Sequence, residues 1–197
     1  MILYRSLPKF DDNSYAHFIT TNTYKHYPFF RDQRLSQILL EELGFYSGKL
    51  GFVLVGYVIM PDHVHLLLWW DSEENLKLGI SNIMSRIKTM TSKRAKRYLF
   101  YGGGTKYVGK LADVGQPTQG SFKLWQPGFY DFNIFSDEKL LEKLEYIHSN
   151  PVRAGFVLSP RDYKWSSYED YFNEEVKLKR TRKKQVKSPK SYSSARA

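Results

Sequence analysis

The chain has 197 residues, no cysteine and a net charge of +10. Lack of cysteine rules out thiolate nucleophiles, Cys-based zinc sites and disulfide staples, and it fits a reducing compartment. No apolar run approaches the roughly 20 residues of a bilayer span, and Met1 to Lys9 lacks the long apolar segment of a secretory leader, so the chain reads as soluble and cytoplasmic.

Ser14 to Tyr24 is rich in aromatic and β-branched residues and predicts a first strand. After Pro28, Leu35, Ile38, Leu39 and Leu43 recur at helical spacing and predict a helix over 31–45, with Gly44 near its end. Two apolar runs follow, near 51–60 and 63–70, separated by Pro61-Asp62, which breaks the pattern as a hairpin turn does. Asp71-Ser72-Glu73-Glu74 then reads as the acidic cap of a second helix carrying Leu76, Ile80, Ile83, Met84 and Ile87 on its apolar face.

From Tyr101 to Gly120 the pattern dissolves into a Gly-rich insertion, long enough to be functional or disordered. Phe122 to Phe135 is strand-like, interrupted at Pro127-Gly128. Ser136 opens another helix, with Asp137 and Glu138 in its first turn and Leu140, Leu141, Leu144 and Ile147 as apolar positions. Pro151 predicts its end near Asn150. A compact ending follows, anchored by Phe156, Tyr163, Trp165, Tyr168 and Tyr171. The domain organisation is therefore a folded unit over 1–175 and a basic, disordered tail over 176–197. The order of strands and helices predicts an α+β, ferredoxin-like sandwich, in which a four-stranded antiparallel sheet is covered on one face by helices.

Charge is segregated along this order. Residues 177–197 hold nine Lys or Arg and no acid, and residues 75–112 again hold nine basic residues and no acid. An electropositive face with a basic tail suits a polyphosphate partner, which such a surface binds through counterion release. Arg86, Lys88, Lys93, Arg94 and Arg97 are the candidate phosphate contacts, and Trp69, Trp70, Trp125 and Tyr130 the candidate stacking partners for unpaired bases.

His63 and His65 carry the chemistry. In a strand, alternate residues share a face, so both imidazoles project the same way while Val64 enters the opposite layer. Two imidazoles opening a buried strand each need a partner, and a shared metal ion supplies one. On the last helix Tyr146 and Asn150 are four residues apart and lie on one face. If that face covers the histidine strand, the site gathers two imidazoles, a carboxamide oxygen as third ligand and a phenol, with coordination positions left for phosphate oxygens. This donor set suits Mg²⁺, Mn²⁺ or another divalent ion acting as a Lewis acid. His17 could line the site or be a hydrogen-bonded core residue, His148 should point to another face, and Asp62 reads as a turn residue.

Met60-Pro61-Asp62-His63-Val64-His65, Trp125-Gln126-Pro127-Gly128-Phe129-Tyr130-Asp131, Tyr146-Ile147-His148-Ser149-Asn150-Pro151 and Trp165-Ser166-Ser167-Tyr168 together resemble the single-tyrosine HUH transposases, most of all their REP-associated branch. The likeness covers roughly residues 14 to 171. It implies a bacterial protein with a ferredoxin-like HUH domain that cuts and rejoins single-stranded DNA near hairpins, using a divalent metal and a 5′-phosphotyrosine intermediate. Tyr146 then matches the nucleophile, His63 and His65 the HUH pair, and Asn150 the third ligand. Many insertion-sequence relatives carry Gln where this chain has Asn150, so the departure points to the REP-associated branch and away from a chain that mobilises its own gene. The implied partners are single-stranded or hairpin DNA and no membrane, with either a monomer or a homodimer as the working state. Two competing functions remain at this stage: a domesticated, non-cleaving binder of structured DNA, and a metallohydrolase that uses activated water.

Overall fold

The computed structural model describes residues 15–70, 78–102 and 122–172. Among these, four strands form one antiparallel sheet: β1 (Ala16–Asn22), β2 (Val53–Ile59), β3 (His63–Trp69) and β4 (Tyr130–Ile134), in the order β2-β3-β1-β4. Between them run α1 (Gln33–Leu50) and α2 (Ile80–Tyr101), and after β4 come α3 (Asp137–Arg153) and the short α4 (Tyr168–Phe172). This is the expected ferredoxin-like α+β sandwich. The expected insertion near 101–120 and the tail over 176–197 fall almost wholly on residues 103–121 and 173–197, which lie outside the described residues.

The layering corrects the expectation that helices cover a single face. Along β1 and β3, Ile19, Val64, Leu66 and Leu68 pack with Leu35, Leu39 and Leu43 of α1 and Ile83, Met84 and Ile87 of α2. Their sequence neighbours Ala16, Phe18 and Leu67 pack with Leu140, Leu144 and Ile147 of α3. Both sheet faces are apolar at alternate positions, so each needs its own cover. The interior of β3 is buried throughout, from Val64 to Leu68, as a strand between two layers must be.

Helix boundaries also shift. α1 runs through Gly44 to Leu50, because Leu43 and Tyr46 continue its buried stripe, and Gly51 ends it in a left-handed conformation. At its start the Asp32 carboxylate accepts the Arg34 backbone N–H at 2.8 Å. α2 begins at Ile80 with Gly79 at its N-cap, so the acidic run 71–74 is not its cap, and residues 71–77 lie outside the described residues.

α3 continues through Pro151 to Arg153. Its end is closed by two crossed bonds, Phe156 N–H to the Pro151 carbonyl and Gly155 N–H to the Val152 carbonyl, each 2.9 Å, with Gly155 at φ 72°. Proline sits in the last turn, where the missing N–H leaves only the Ile147 carbonyl without its helical donor, and the closure downstream holds the turn. Asn150 therefore stays inside the helix.

Gly56 sets how closely α3 approaches the sheet. A Cβ there would stand 2.6 Å from Leu144 Cδ1, so only glycine admits the buried leucine at this depth. The outer edge of β2 is closed by residues 163–171: Ile59 N–H donates to the Trp165 carbonyl at 2.8 Å, Ser167 N–H to the Tyr57 carbonyl at 3.0 Å, and the Tyr171 hydroxyl to the Val55 carbonyl. Of the predicted aromatic anchors, Tyr163, Trp165 and Tyr171 thus work as edge cover, whereas Phe156 is exposed.

Candidate active site

The register fixes a polar row across the sheet on the α3 side. Val58 of β2 opposes His65, His65 opposes Thr20 of β1, and Thr20 opposes Tyr130 of β4; His63 opposes Asn22 one step along. His63 and His65 project to one face, as alternation requires, and their ring centroids are 5.0 Å apart. Above them lies α3. The Tyr146 ring meets the His65 ring edge-on at a centroid distance of 5.3 Å, with the Phe18 ring packed against both. The structure thus brings the phenol and the paired imidazoles into one place, and Asn150 lies one helical turn beyond Tyr146 on the same face.

Each imidazole is oriented through Nδ1. His63 Nδ1–H donates to Asp62 Oδ1 at 2.7 Å, and His65 Nδ1 lies 2.9 Å from Thr20 Oγ1. With Nδ1 engaged, Nε2 is the nitrogen left to face a ligand, the arrangement that outer partners impose on metal-binding histidines. Burial, then the neighbouring His63 and Lys143, lower the His65 pKa to about 3, which keeps its imidazole neutral and its lone pair available. Asp62 also reaches His26, whose Nδ1 is 3.5 Å from Asp62 Oδ2.

Two imidazole nitrogens with a carboxamide oxygen nearby are donor types that fit a divalent cation with open positions. Among the described residues no three His, Cys, Asp or Glu side chains converge on one point. Cations frame the phenol. Arg153 lies 5.2 Å and Lys143 5.9 Å from the Tyr146 ring centroid, and Lys143 also stands over Phe18 and Phe132. An incoming phosphate would meet positive charge on the helix side of the site.

Other predicted residues lie elsewhere. His17 points to the opposite face, stacked on Trp70 at 4.6 Å with its Nδ1 2.9 Å from Asp131 Oδ1, so it is the hydrogen-bonded core residue and does not line the site. His148 is buried, with Nε2 2.9 Å from Ser167 Oγ, and burial lowers its pKa to about 4. That hydroxyl is also the acceptor for Tyr57 N–H at 3.0 Å, so His148 ties α3 to β2. Of the candidate phosphate contacts, Lys88 donates to the carbonyls of Gln126 and Gly128, and Arg94 binds Glu41 and Glu42 of α1. Arg86, Lys93 and Arg97 are exposed on α2, in the layer on the far side of the sheet from Tyr146. Tyr130 is 58% exposed and stands on the Thr20 side of the site.

The sequence reading passed over Thr20 and gave Asp62 only a turn role. For Asp62 the signal was present, as a carboxylate directly preceding a candidate ligand; for Thr20 it lay in strand register, which one sequence does not display.

The profile of the family described as "Transposase IS200 like" matches residues 11–150. A Haemophilus influenzae protein provisionally named a REP-associated tyrosine transposase is 27% identical over 118 residues, a match that spans 59% of this chain and 59% of that relative's length. A solved structure of a REP-associated tyrosine transposase bound to a REP hairpin superposes with a TM-score of 0.59 at 16% identity, over 88% of each chain, and shares the fold. Among the described residues no helix is long and apolar enough to cross a membrane.

Proposed function

The chain belongs to the IS200-like transposase family, and we propose that it cuts and rejoins single-stranded, hairpin-bearing DNA through a covalent tyrosyl intermediate. The observation that carries this reading is the Tyr146 ring set 5.3 Å from that of His65, beside His63. In this site Tyr146 Oη attacks the scissile phosphorus, its proton passes to solvent, and the bond to the 3′ oxygen breaks. The products are a free 3′ hydroxyl and a 5′-phosphotyrosine. Because the new ester retains the bond type of the one it replaced, a second 3′ hydroxyl displaces Tyr146 and reseals a strand without a nucleotide cofactor.

His63, His65 and Asn150 would hold a divalent ion, Mg²⁺ or Mn²⁺, which when bound supplies Lewis acidity toward the phosphate. Asp62 and Thr20 fix the imidazole orientations. Lys143 and Arg153 offset the negative charge brought by the DNA, and Arg86, Lys93 and Arg97 offer phosphate contacts on α2.

Incubation with hairpin-bearing single-stranded DNA and Mg²⁺ or Mn²⁺, followed by denaturing electrophoresis, tests the reading. A covalent protein–DNA adduct is expected with the parent chain and none with Tyr146→Phe. An adduct that survives the substitution removes Tyr146 from its role, cleavage without any adduct assigns the chemistry to activated water, and tight binding without cleavage makes the chain a binder of structured DNA.

A further inference from the structure

A groove of about 640 Å³ opens between α2 and residues 122–129, on the sheet face away from Tyr146. Its α2 wall is a shallow trough of hydroxyls, Ser85, Thr89 and Ser92, with Lys93 and Lys96 beside it and Lys123 across from them. Among the described residues no carboxylate lines it. Trp125 forms part of the opposite wall, and its indole Nε1 is buried without a hydrogen-bond partner. Lys88 fixes that wall by donating to the Gln126 and Gly128 carbonyls.

The wall is stitched on its other side to the loop after β1. Tyr24 N–H donates to the Leu124 carbonyl and Gln126 N–H to the Asn22 carbonyl, both at 2.9 Å. Lys123 Nζ consequently stands 5.3 Å from the Tyr24 ring centroid, and Lys25 Nζ 5.7 Å from it. Lys25 and His26 both adopt left-handed backbone, at φ 52° and 53°. Consecutive non-glycine residues persist there only where the surroundings over-determine them. Thr23 does so: its N–H donates to the Asp62 carbonyl at 2.8 Å, and its hydroxyl lies 2.7 Å from the Tyr27 carbonyl across Lys25 and His26 and 2.8 Å from that of Asp62. His26 then lies 3.5 Å from the carboxylate that orients His63. Groove, Tyr24 and His63 thus form one path from the α2 layer to the catalytic row.

We propose that this path binds the single strand flanking the cut, with phosphates on Lys93, Lys96 and Lys123 and a base stacked on Tyr24. The choice of DNA rests on the function proposed above; the choice of a single strand rests on the groove. Cations alternate with aromatic surface, and only an unpaired strand offers base faces beside its phosphates. A duplex would present phosphates alone.

The test uses the full chain as Tyr146→Phe in chelator, so that cleavage and metal play no part. The probe is a fluorescein-labelled oligothymidylate of about 12 nucleotides, within the range one groove accommodates. Tyr24→Ala should weaken binding by about 5-fold or more, the effect of losing one base stack. Lys93→Ala/Lys96→Ala/Lys123→Ala should lower the salt slope by roughly 2, about 0.7 per lost single-strand phosphate contact. Unlabelled strand should compete and the same sequence as duplex should not. Unchanged affinity and slope in both variants, each melting like its parent, overturns the proposal; so does equal competition by duplex. Failure of the unsubstituted chain to form the adduct, with this binding intact, would sink the catalytic reading and leave the path in place.

Discussion

Gly56→Ala probes how α3 is seated. The new Cβ would lie 2.6 Å from Leu144 Cδ1 but 3.6 Å from Ser167 Oγ and 3.7 Å from Leu67 Cβ, so the conflict is with one side chain. Leu144 is fully buried, so its side chain cannot turn out to solvent without giving up its core contacts. Overpacking of this kind costs about 1–3 kcal/mol, while replacing glycine by alanine recovers about 0.4–1 kcal/mol from the unfolded chain. The net loss should be about 1–2 kcal/mol, a fall of roughly 2–8 °C in melting temperature for a chain of this size. Leu144→Ala alone should cost about 2–5 kcal/mol. In the double variant the new methyl enters the space that the leucine vacates, so the combined loss should be smaller than the sum by about 0.5–3 kcal/mol. Urea denaturation of the four proteins measures this coupling. Leu144 precedes Tyr146 by two residues, so Gly56→Ala should also slow adduct formation, by up to about a hundredfold for a displacement near 1 Å. Costs that add to within about 0.3 kcal/mol, with an unchanged adduct rate, would refute the claim that this contact sets the helix position.

Thr20→Val removes the hydroxyl beside His65 Nδ1 at 2.9 Å and should weaken Mn²⁺ binding by about 10–100-fold, read by titration calorimetry or electron paramagnetic resonance. Asp62→Asn should act similarly on His63, whereas His17→Gln, on the other face, should leave Mn²⁺ affinity unchanged. His148 is neutral when folded, with a pKa near 4 against 6.5 when unfolded. Below pH 6.5 the unfolded chain takes up a proton that the folded one refuses, so its contribution is complete above pH 6.5 and declines toward pH 4 by about 3 kcal/mol. His148→Gln should flatten the urea midpoint over that window, and an equal pH slope in both proteins would contradict it. Arg94→Ala strands the buried Glu42 carboxylate and should cost about 2 kcal/mol in stability. Lys93→Ala, exposed, should leave the melting temperature within about 1 °C of the parent and weaken DNA binding instead.

The element types and their order were legible because two periodicities were strong: apolar residues at three and four in α1, α2 and α3, and β-rich runs for the strands. The second helical layer was not, since β3 reads as continuously apolar and Leu140, Leu144 and Ile147 mark a stripe without saying which sheet face it meets. The overrun at Pro151 arose because helix-breaking rules describe interiors, and a last turn closed by Gly155 tolerates proline. Strand alternation put His63 and His65 on one face, as the structure has them, whereas Tyr146, one of fifteen tyrosines, was marked only by its spacing to Asn150 and by the family resemblance. Charge alone misrepresented α2: Lys88 and Arg94 looked the same as Lys93 in sequence, yet the first fastens a loop and the second an adjoining helix.

Because the strands present one row of residues to α3 and the alternate row to α1 and α2, the proposed chemistry and the proposed strand guidance fall in separate compartments with a shared wall. Replacing the outward side chains of α2 would therefore retune which DNA is held while the nucleophile keeps its setting, and repacking around Leu144 would alter turnover while target preference persists. Laboratory evolution of this scaffold could pursue the two traits in parallel libraries and combine the winners, with β1 and β3 left untouched as the common partition.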